Sequence, residues 1–254
     1  MDICELLDDH VFACVDRQMA FQEVIGDSGS YQVDLHEGRV RFTTGLDLGV
    51  GLLGSAAPGP RSWLWAWANP TAYSPEVLAA VEQVRAFGEQ HDVRELVTAE
   101  VPLDDAWDAT RAGIASVAAS DVDVWLPVEA GGGTQVMLAV REHPPLPAPS
   151  PEPTRLGPVL NQVITLGVVT DWRRALRAYA TVRGGELEEQ GDVLVLTPAG
   201  GDSGARLELG ADGRPARMEM TRAAGPHRTT GAPTRAFEAP TEEKKGFLGR
   251  LFGR

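Results

Sequence analysis

Between His143 and Pro158 the chain reads HPPLPAPSPEPTRLGP, with seven prolines. Each proline lacks an N–H and holds φ near −65°, so the run favours extended polyproline geometry over helix or sheet. Such a run is expected to divide a chain of 254 residues. The expected organisation is a body over 1–142, a proline-rich linker over 143–158 and a smaller module over 159–220. Residues 221–243 carry Gly225-Pro226, Gly231, Pro233 and Pro240 without periodicity, the composition of a flexible tether. Residues 244–254, KKGFLGRLFGR, form a basic amphipathic tail.

In the body, Ile3, Leu7, Val11, Cys14 and Phe21 recur near helical spacing and predict a helix over about 2–25. YQVDLHEGRVRFTT predicts a hairpin turning on Glu37-Gly38, with Leu35 opposite Val40 and Val33 opposite Phe42. LDLGVGLLG alternates apolar residues with Asp47, Gly49 and Gly51, as a half-buried strand does, and Gly54 to Arg61 is expected to be turn. Ser74-Pro75 marks the start of a helix over 75–90. ELVTAEV is expected as a strand and LDDAWDATRAGIASVAAS as a helix capped by Asp104 or Asp105. VDVWLPV and TQVMLAV read as strands around Gly131–Gly133. In the module, helices over 159–169 and 171–179, the second capped by Thr170, precede the strand GDVLVLT. A hairpin on Asp212-Gly213 then aligns Glu208 with Arg217, Arg206 with Glu219 and Leu207 with Met218. Helices and strands mix without regular βαβ alternation, so the fold class is α+β: a mixed helix and antiparallel-sheet body, a smaller α+β module and a flexible tail.

Half of the six tryptophans fall within SWLWAWANP, residues 62–70. As a strand, this places Trp63, Trp65 and Trp67 on one face. Large aromatics in strands usually serve packing, which predicts a core stripe under the helices 75–90 and 104–119. The rival reading uses the bare backbone at Gly49 and Gly51, on which a flat ligand could lie, and makes Trp63, Trp65, Trp67 and Asn69 a recognition surface. LGS at 53–55 followed by WLWAWANP at 63–70 resembles the signature of an uncharacterised, mostly actinobacterial domain family. The likeness covers about residues 20–140, and it implies no activity because that family has none assigned.

Other residues exclude more than they assign. His10, His36, His91, His143 and His227 are scattered without HExxH or HxxxH spacing, so no metal and no cofactor is expected. The glycines at 131–133 lack the Lys-Ser/Thr of a phosphate loop, no GxSxG elbow occurs, and Cys4 and Cys14 have no placed base. No catalytic residues emerge. The net charge of −13 argues against nucleic acid. No apolar run approaches the roughly 18–20 residues of a membrane span, and the acidic start MDICELLDDH is unlike a secretory signal, so the expected compartment is the cytoplasm. Charge is unevenly placed, because the only two lysines are Lys244 and Lys245. Drawn as a helix, the tail puts Phe247, Leu248, Leu251 and Phe252 on one side and Arg250 on the other. Such a segment suits docking to a protein partner, or weak contact with an anionic membrane surface. The leading expectation is a non-enzymatic interaction protein. The alternatives are a small-molecule binder or enzyme using the Trp face, and an acidic inhibitor that masks a basic surface.

Overall fold

The computed structural model describes residues 1–147, 153–199 and 203–222. The tether and tail, including Lys244, Lys245, Phe247, Leu248, Arg250, Leu251 and Phe252, lie outside the described residues.

Helix α1 (Ile3–Ile25) opens with a capping box in which Asp2 accepts from the Glu5 N–H and Glu5 reaches back to the Asp2 N–H, satisfying two donors that a helix start leaves orphaned. A seven-stranded antiparallel sheet follows, built on the long strand β3 (Asp47–Ala57). One edge of β3 pairs with β7 (Gln135–Glu142), which pairs with β6 (Val124–Glu129). The other edge pairs first with β2 (Arg39–Phe42), beside β1 (Tyr31–Asp34), and then with β4 (Ser62–Trp65), beside β5 (Glu100–Pro102). Between β4 and β5 lie α2 (Pro75–His91) and α3 (Arg94–Val97), and α4 (Ala109–Ala118) precedes β6. A second, four-stranded sheet has the order β11-β10-β9-β8, from β8 (Glu186–Gln190), β9 (Val193–Thr197), β10 (Ser203–Leu209) and β11 (Pro215–Arg222). Helices α5 (Pro153–Leu166) and α6 (Trp172–Val182) lead into it. The fold is α+β.

Several expectations are corrected locally. The first hairpin turns two residues earlier than expected: Val33 pairs with Val40 and Tyr31 with Phe42. The Asp34 carboxylate accepts from the N–H groups of His36 and Glu37, and Gly38 takes φ 63°, so side-chain capping selects a four-residue loop. Strand β3 is buried without interruption from Leu48 to Gly54 and continues through the expected turn. Its glycines serve close packing. Gly51 faces the Val77 carbonyl of α2, where a Cβ would lie 2.8 Å from the oxygen, and Gly54 lies under the Trp63 indole. Gly51, Ala139 and Trp125 stand in register, and Trp125 packs on Gly113 of α4. Helices α2 and α4 therefore cover the same sheet face.

A Cβ at Gly54 would fall 2.6 Å from both the Leu64 carbonyl oxygen and the Trp63 ring. Gly54→Ala is expected to destabilise by about 1–3 kcal/mol, as overpacking does, measured by urea denaturation.

The expected strand ELVTAEV splits into α3 and β5. Asp92 ends α2 in the left-handed region (φ 55°), and Leu96 then packs onto Gly88. Helix α4 starts later than expected, with Asp108 as its cap, because Asp104 spends its carboxylate on the N–H groups of Ala106 and Trp107. In the module, the hairpin pairs Glu208 with Arg217, Arg206 with Glu219 and Leu207 with Met218, as read from the sequence. Strand β8 was not anticipated. Helix α5 begins at Pro153, inside the stretch read as linker, and α6 is capped by Asp171 in place of Thr170.

The edge strand β6 would expose the backbone of Trp125 where it meets α1. Gln18, fully buried on α1, closes it: the amide donates to the Trp125 carbonyl at 2.9 Å and accepts from its N–H at 3.3 Å. One side-chain amide thus imitates a neighbouring strand and satisfies a buried backbone pair.

Candidate functional site

The tryptophans of SWLWAWANP separate. β4 ends at Trp65, and Ala66–Ala68 form a 3-10 turn, so Trp67 leaves the face that Trp63 and Trp65 share. Trp63 and Trp65 are wholly buried and meet edge to face, with ring centroids 5.3 Å apart; Trp107 joins Trp65 at 6.3 Å. The Trp65 indole N–H donates to the Glu95 carbonyl at 2.8 Å, tying β4 to α3. The indole N–H of Trp63 finds no acceptor among the described residues. Trp67 is half-buried under the Arg85 guanidinium, 4.6 Å from its ring centroid. Asn69 accepts from the Thr71 N–H at 2.9 Å, holding the turn into α2. The four residues read as a possible recognition surface are thus not brought onto one face: two are core, one is a cation–π platform and one is a turn cap. The period-two reading failed at Ala66 because the chain must turn there to reach Ser74, where α2 begins.

A different constellation assembles where α1 meets α5 and α6. Phe12 stacks on Tyr179 at 5.1 Å and meets Trp172 edge-on at 5.9 Å. Around this apolar contact lie three ionic centres. Asp8, buried, accepts from the Thr170 N–H (2.9 Å), the Thr170 hydroxyl (2.7 Å) and the Asp171 N–H (2.8 Å). Burial raises its carboxyl above the ordinary range, while the Thr170 and Asp171 hydrogen bonds oppose that rise. Asp9 receives a two-pronged hydrogen bond from Arg174, both contacts 2.7 Å, and Arg174 also pairs with Glu5 at 2.9 Å. The Arg174 hydrogen bond holds the Asp9 carboxyl below its usual range. Asp16, almost wholly buried, takes Arg183 at 2.8 Å, the Tyr179 hydroxyl at 3.4 Å and Arg155 at ion-pair range, 3.8 Å. Arg183 Nε in turn donates to the Tyr179 oxygen at 2.9 Å. Burial, then the nearby Asp16 charge, pushes the Tyr179 phenol well up, so it stays a neutral donor. Sequence reading missed this seam. The available signal was the trio Asp8, Asp9 and Asp16 within the apolar pattern of α1, with no cation on α1 placed to answer it.

Asp9 bound by Arg174 is favoured as the carboxylate, so its contribution is present above the unfolded pKa and is lost as pH falls through the lower folded value. The stability gap between wild type and Arg174→Gln is expected to be about 1 kcal/mol and constant above pH 5. It should close below about pH 4, the ordinary value of an aspartate carboxyl being 3.8, in urea titrations across pH.

Each carboxylate of the seam is engaged by a cation, a hydroxyl or a backbone N–H, although the buried Asp16 Oδ1 has no hydrogen-bond partner among the described residues and only Arg155 at ion-pair range, 3.8 Å. A cavity of about 480 Å³ opens beside it, lined by Thr170, Asp171, Arg173, Asp192 and Gly210 among others. Arg173 is already paired with Glu189 at 3.0 Å and Asp192 at 3.4 Å, and Asp171 caps α6. Among the described residues no group of three His, Cys, Asp or Glu side chains is placed to hold a metal ion. Burial pushes the Cys14 thiol up to about 12, which leaves it unreactive. No helix of the described residues is long and apolar enough to cross a membrane.

These features define an α+β protein whose tryptophan-rich sheet is closed by an acidic helix and joined through it to a second small sheet. The chain belongs to the DUF6882 family, a family of unknown function, whose model matches residues 5–143. No curated protein and no solved structure matches it. The match begins within α1 and ends one residue past β7, so α5, α6 and the second sheet lie outside it. The charges divide at the same place. Residues 1–143 hold 23 carboxylates against eight arginines, whereas residues 153–222 balance nine against nine.

Proposed function

We propose that this chain is a non-enzymatic interaction protein of the cytoplasm, with an acidic body and residues 244–254 as a docking peptide for a protein partner. The single observation that supports it most is the charge partition: the family-matched part is strongly acidic, and the only lysines stand in an apolar tail. The seam adds to this, since its acidic helix is engaged by arginines flanking aromatic contacts, the same residue chemistry that the tail offers. An anionic membrane surface is the second ligand this tail suits, at roughly 1 kcal/mol for each basic residue. The reading as an acidic inhibitor of a basic protein draws on the same partition. The reading built on the Trp face has two of its three indoles inside the core. The test is affinity capture with the full chain and with its Phe247→Asp/Phe252→Asp variant. Loss of specific partners in the variant is the expected result, and recovery of the same proteins by both chains would end the docking-peptide reading.

A further inference from the structure

Five strands stand at sheet edges among the described residues, and four of them are guarded. β6 is closed by Gln18 and contains Pro127, β5 ends at Pro102, β8 carries Glu186, Glu188 and Glu189, and β11 opens on Pro215 and carries Arg217 and Glu219. Prolines and charges of this kind stop an edge from recruiting another strand. β1 has no proline, and its single charge, Asp34, is turned into the loop, where it accepts from the His36 and Glu37 N–H groups. Tyr31 and Val33 pair with the buried Phe42 and Val40, yet they are 39% and 37% exposed. The core layer therefore runs out to this edge and ends in solvent.

The backbone decides which groups this edge offers. The Thr43 N–H donates to the Ser30 carbonyl at 2.9 Å and the Phe42 N–H to the Leu46 carbonyl at 2.8 Å, so Ser30, Gln32 and Asp34 turn their backbone groups toward β2. By the alternation of an antiparallel pair, Tyr31 and Val33 present theirs to the open side. We infer that this edge joins a second copy of the chain, β1 against β1 about a two-fold axis through Gln32. Within the two strands only that register engages every free group, because Tyr31 then exchanges both backbone hydrogen bonds with Val33 of the second copy, and Val33 with its Tyr31. The same register lays tyrosine against valine twice on the core side and sets Gln32 beside its own copy on the other. Asp34 falls opposite Ser30, so no like charges meet. Charge selects the occupant. Residues 1–143 hold 23 carboxylates against eight arginines, so two copies repel over most of the body, whereas residues 31–42 balance Asp34 and Glu37 with Arg39 and Arg41. The hairpin is where an equally acidic copy can approach without net repulsion. An edge of four residues buries far less than a permanent interface, so the dimer is weak and exchanges.

Gln32→Cys in the full chain, with the exposed Cys4 replaced by serine, tests the register. Residues of a non-hydrogen-bonded pair on the axis lie about 4.5 Å apart between Cα atoms, within reach of a disulfide. Mild oxidation should give a covalent dimer, and faster than it does from Glu37→Cys on the exposed loop. Sedimentation velocity of the unaltered chain should show a dimer fraction that rises with concentration. Val33→Lys should weaken the dimer about tenfold, with far-UV circular dichroism unchanged. An unaltered chain that stays monomeric at its highest soluble concentration would overturn the inference, as would Gln32→Cys linking no faster than Glu37→Cys. A dimer undiminished in Val33→Lys would overturn it too, by placing the contact on another face. The contact does not involve the tail, so Phe247→Asp/Phe252→Asp should dimerise like the unaltered chain; loss of the dimer there would give the contact to the tail and remove it from β1.

Discussion

Trp65→Ala is expected to lower the free energy of unfolding by about 3–5 kcal/mol, measured by urea denaturation with the transition followed by far-UV circular dichroism. Trp65 is wholly buried between Trp63 and Trp107 and anchors α3 through the Glu95 carbonyl. Truncation therefore opens a large cavity and strands a carbonyl. Trp63→Ala should fall in the same range, because its ring fills the space over Gly54. Trp67→Ala should lose only about 1 kcal/mol: its ring is half-buried and its defined partner is the Arg85 guanidinium, a contact worth about 0.5–1 kcal/mol at such a site. Equal losses at all three positions would contradict the split between strand and 3-10 turn. A loss within 0.5 kcal/mol at Trp65 would contradict its place in the core.

The second large effect is expected at Asp16. Asp16→Ala leaves Arg183, with a side chain only 1% exposed, facing the space its carboxylate occupied. Removing one member of a buried pair costs about 3–5 kcal/mol, since the remaining charge stays out of water. Replacing both members by apolar residues of similar size, Asp16→Leu with Arg183→Met, should lose less than Asp16→Ala alone. If the double variant is the less stable, the pair contributes net stability beyond its own desolvation. Asp16→Ala should also loosen α6 from α1, which hydrogen exchange would register as lost protection in both helices.

How far the sequence carried the reading differs from element to element. The hairpin β10–β11 was legible from the Glu208–Arg217 pair outward, because Asp212-Gly213 marks a turn and period two then sets those pairs; beside the turn a bulge pairs Leu209 with Pro215, which the alternation does not record. Helix α2 was legible at its start, because Ser74 and Pro75 satisfy the orphaned first turn in a way few other pairs do. The first hairpin was misread by two residues because Asp34 caps the loop backbone, a side-chain choice that the apolar alternation does not record. The run ELVTAEV suits a strand by composition, yet its first half is helical: Leu96 has to reach Gly88, and the Glu95 carbonyl has to meet an indole thirty residues earlier. The proposed site fared likewise. The sequence showed three indoles at alternate positions, but the change to a 3-10 turn at Ala66 depends on where α2 must start.

By itself, then, the sequence determined the fold class, the unequal distribution of charge and the local turns whose chemistry closes within a few residues. Those depend on neighbours along the chain, where backbone sterics and capping act without help. Only the tertiary structure decided that Gly51 and Gly54 admit a helix and an indole, that Gln18 completes a strand edge, and that Asp8, Asp9 and Asp16 wait for Thr170, Arg174 and Arg183. Each of these pairs groups far apart in sequence, and the free energy that selects them is the penalty of burying a polar group or a void without its partner. That penalty exists only once the chain has closed around them.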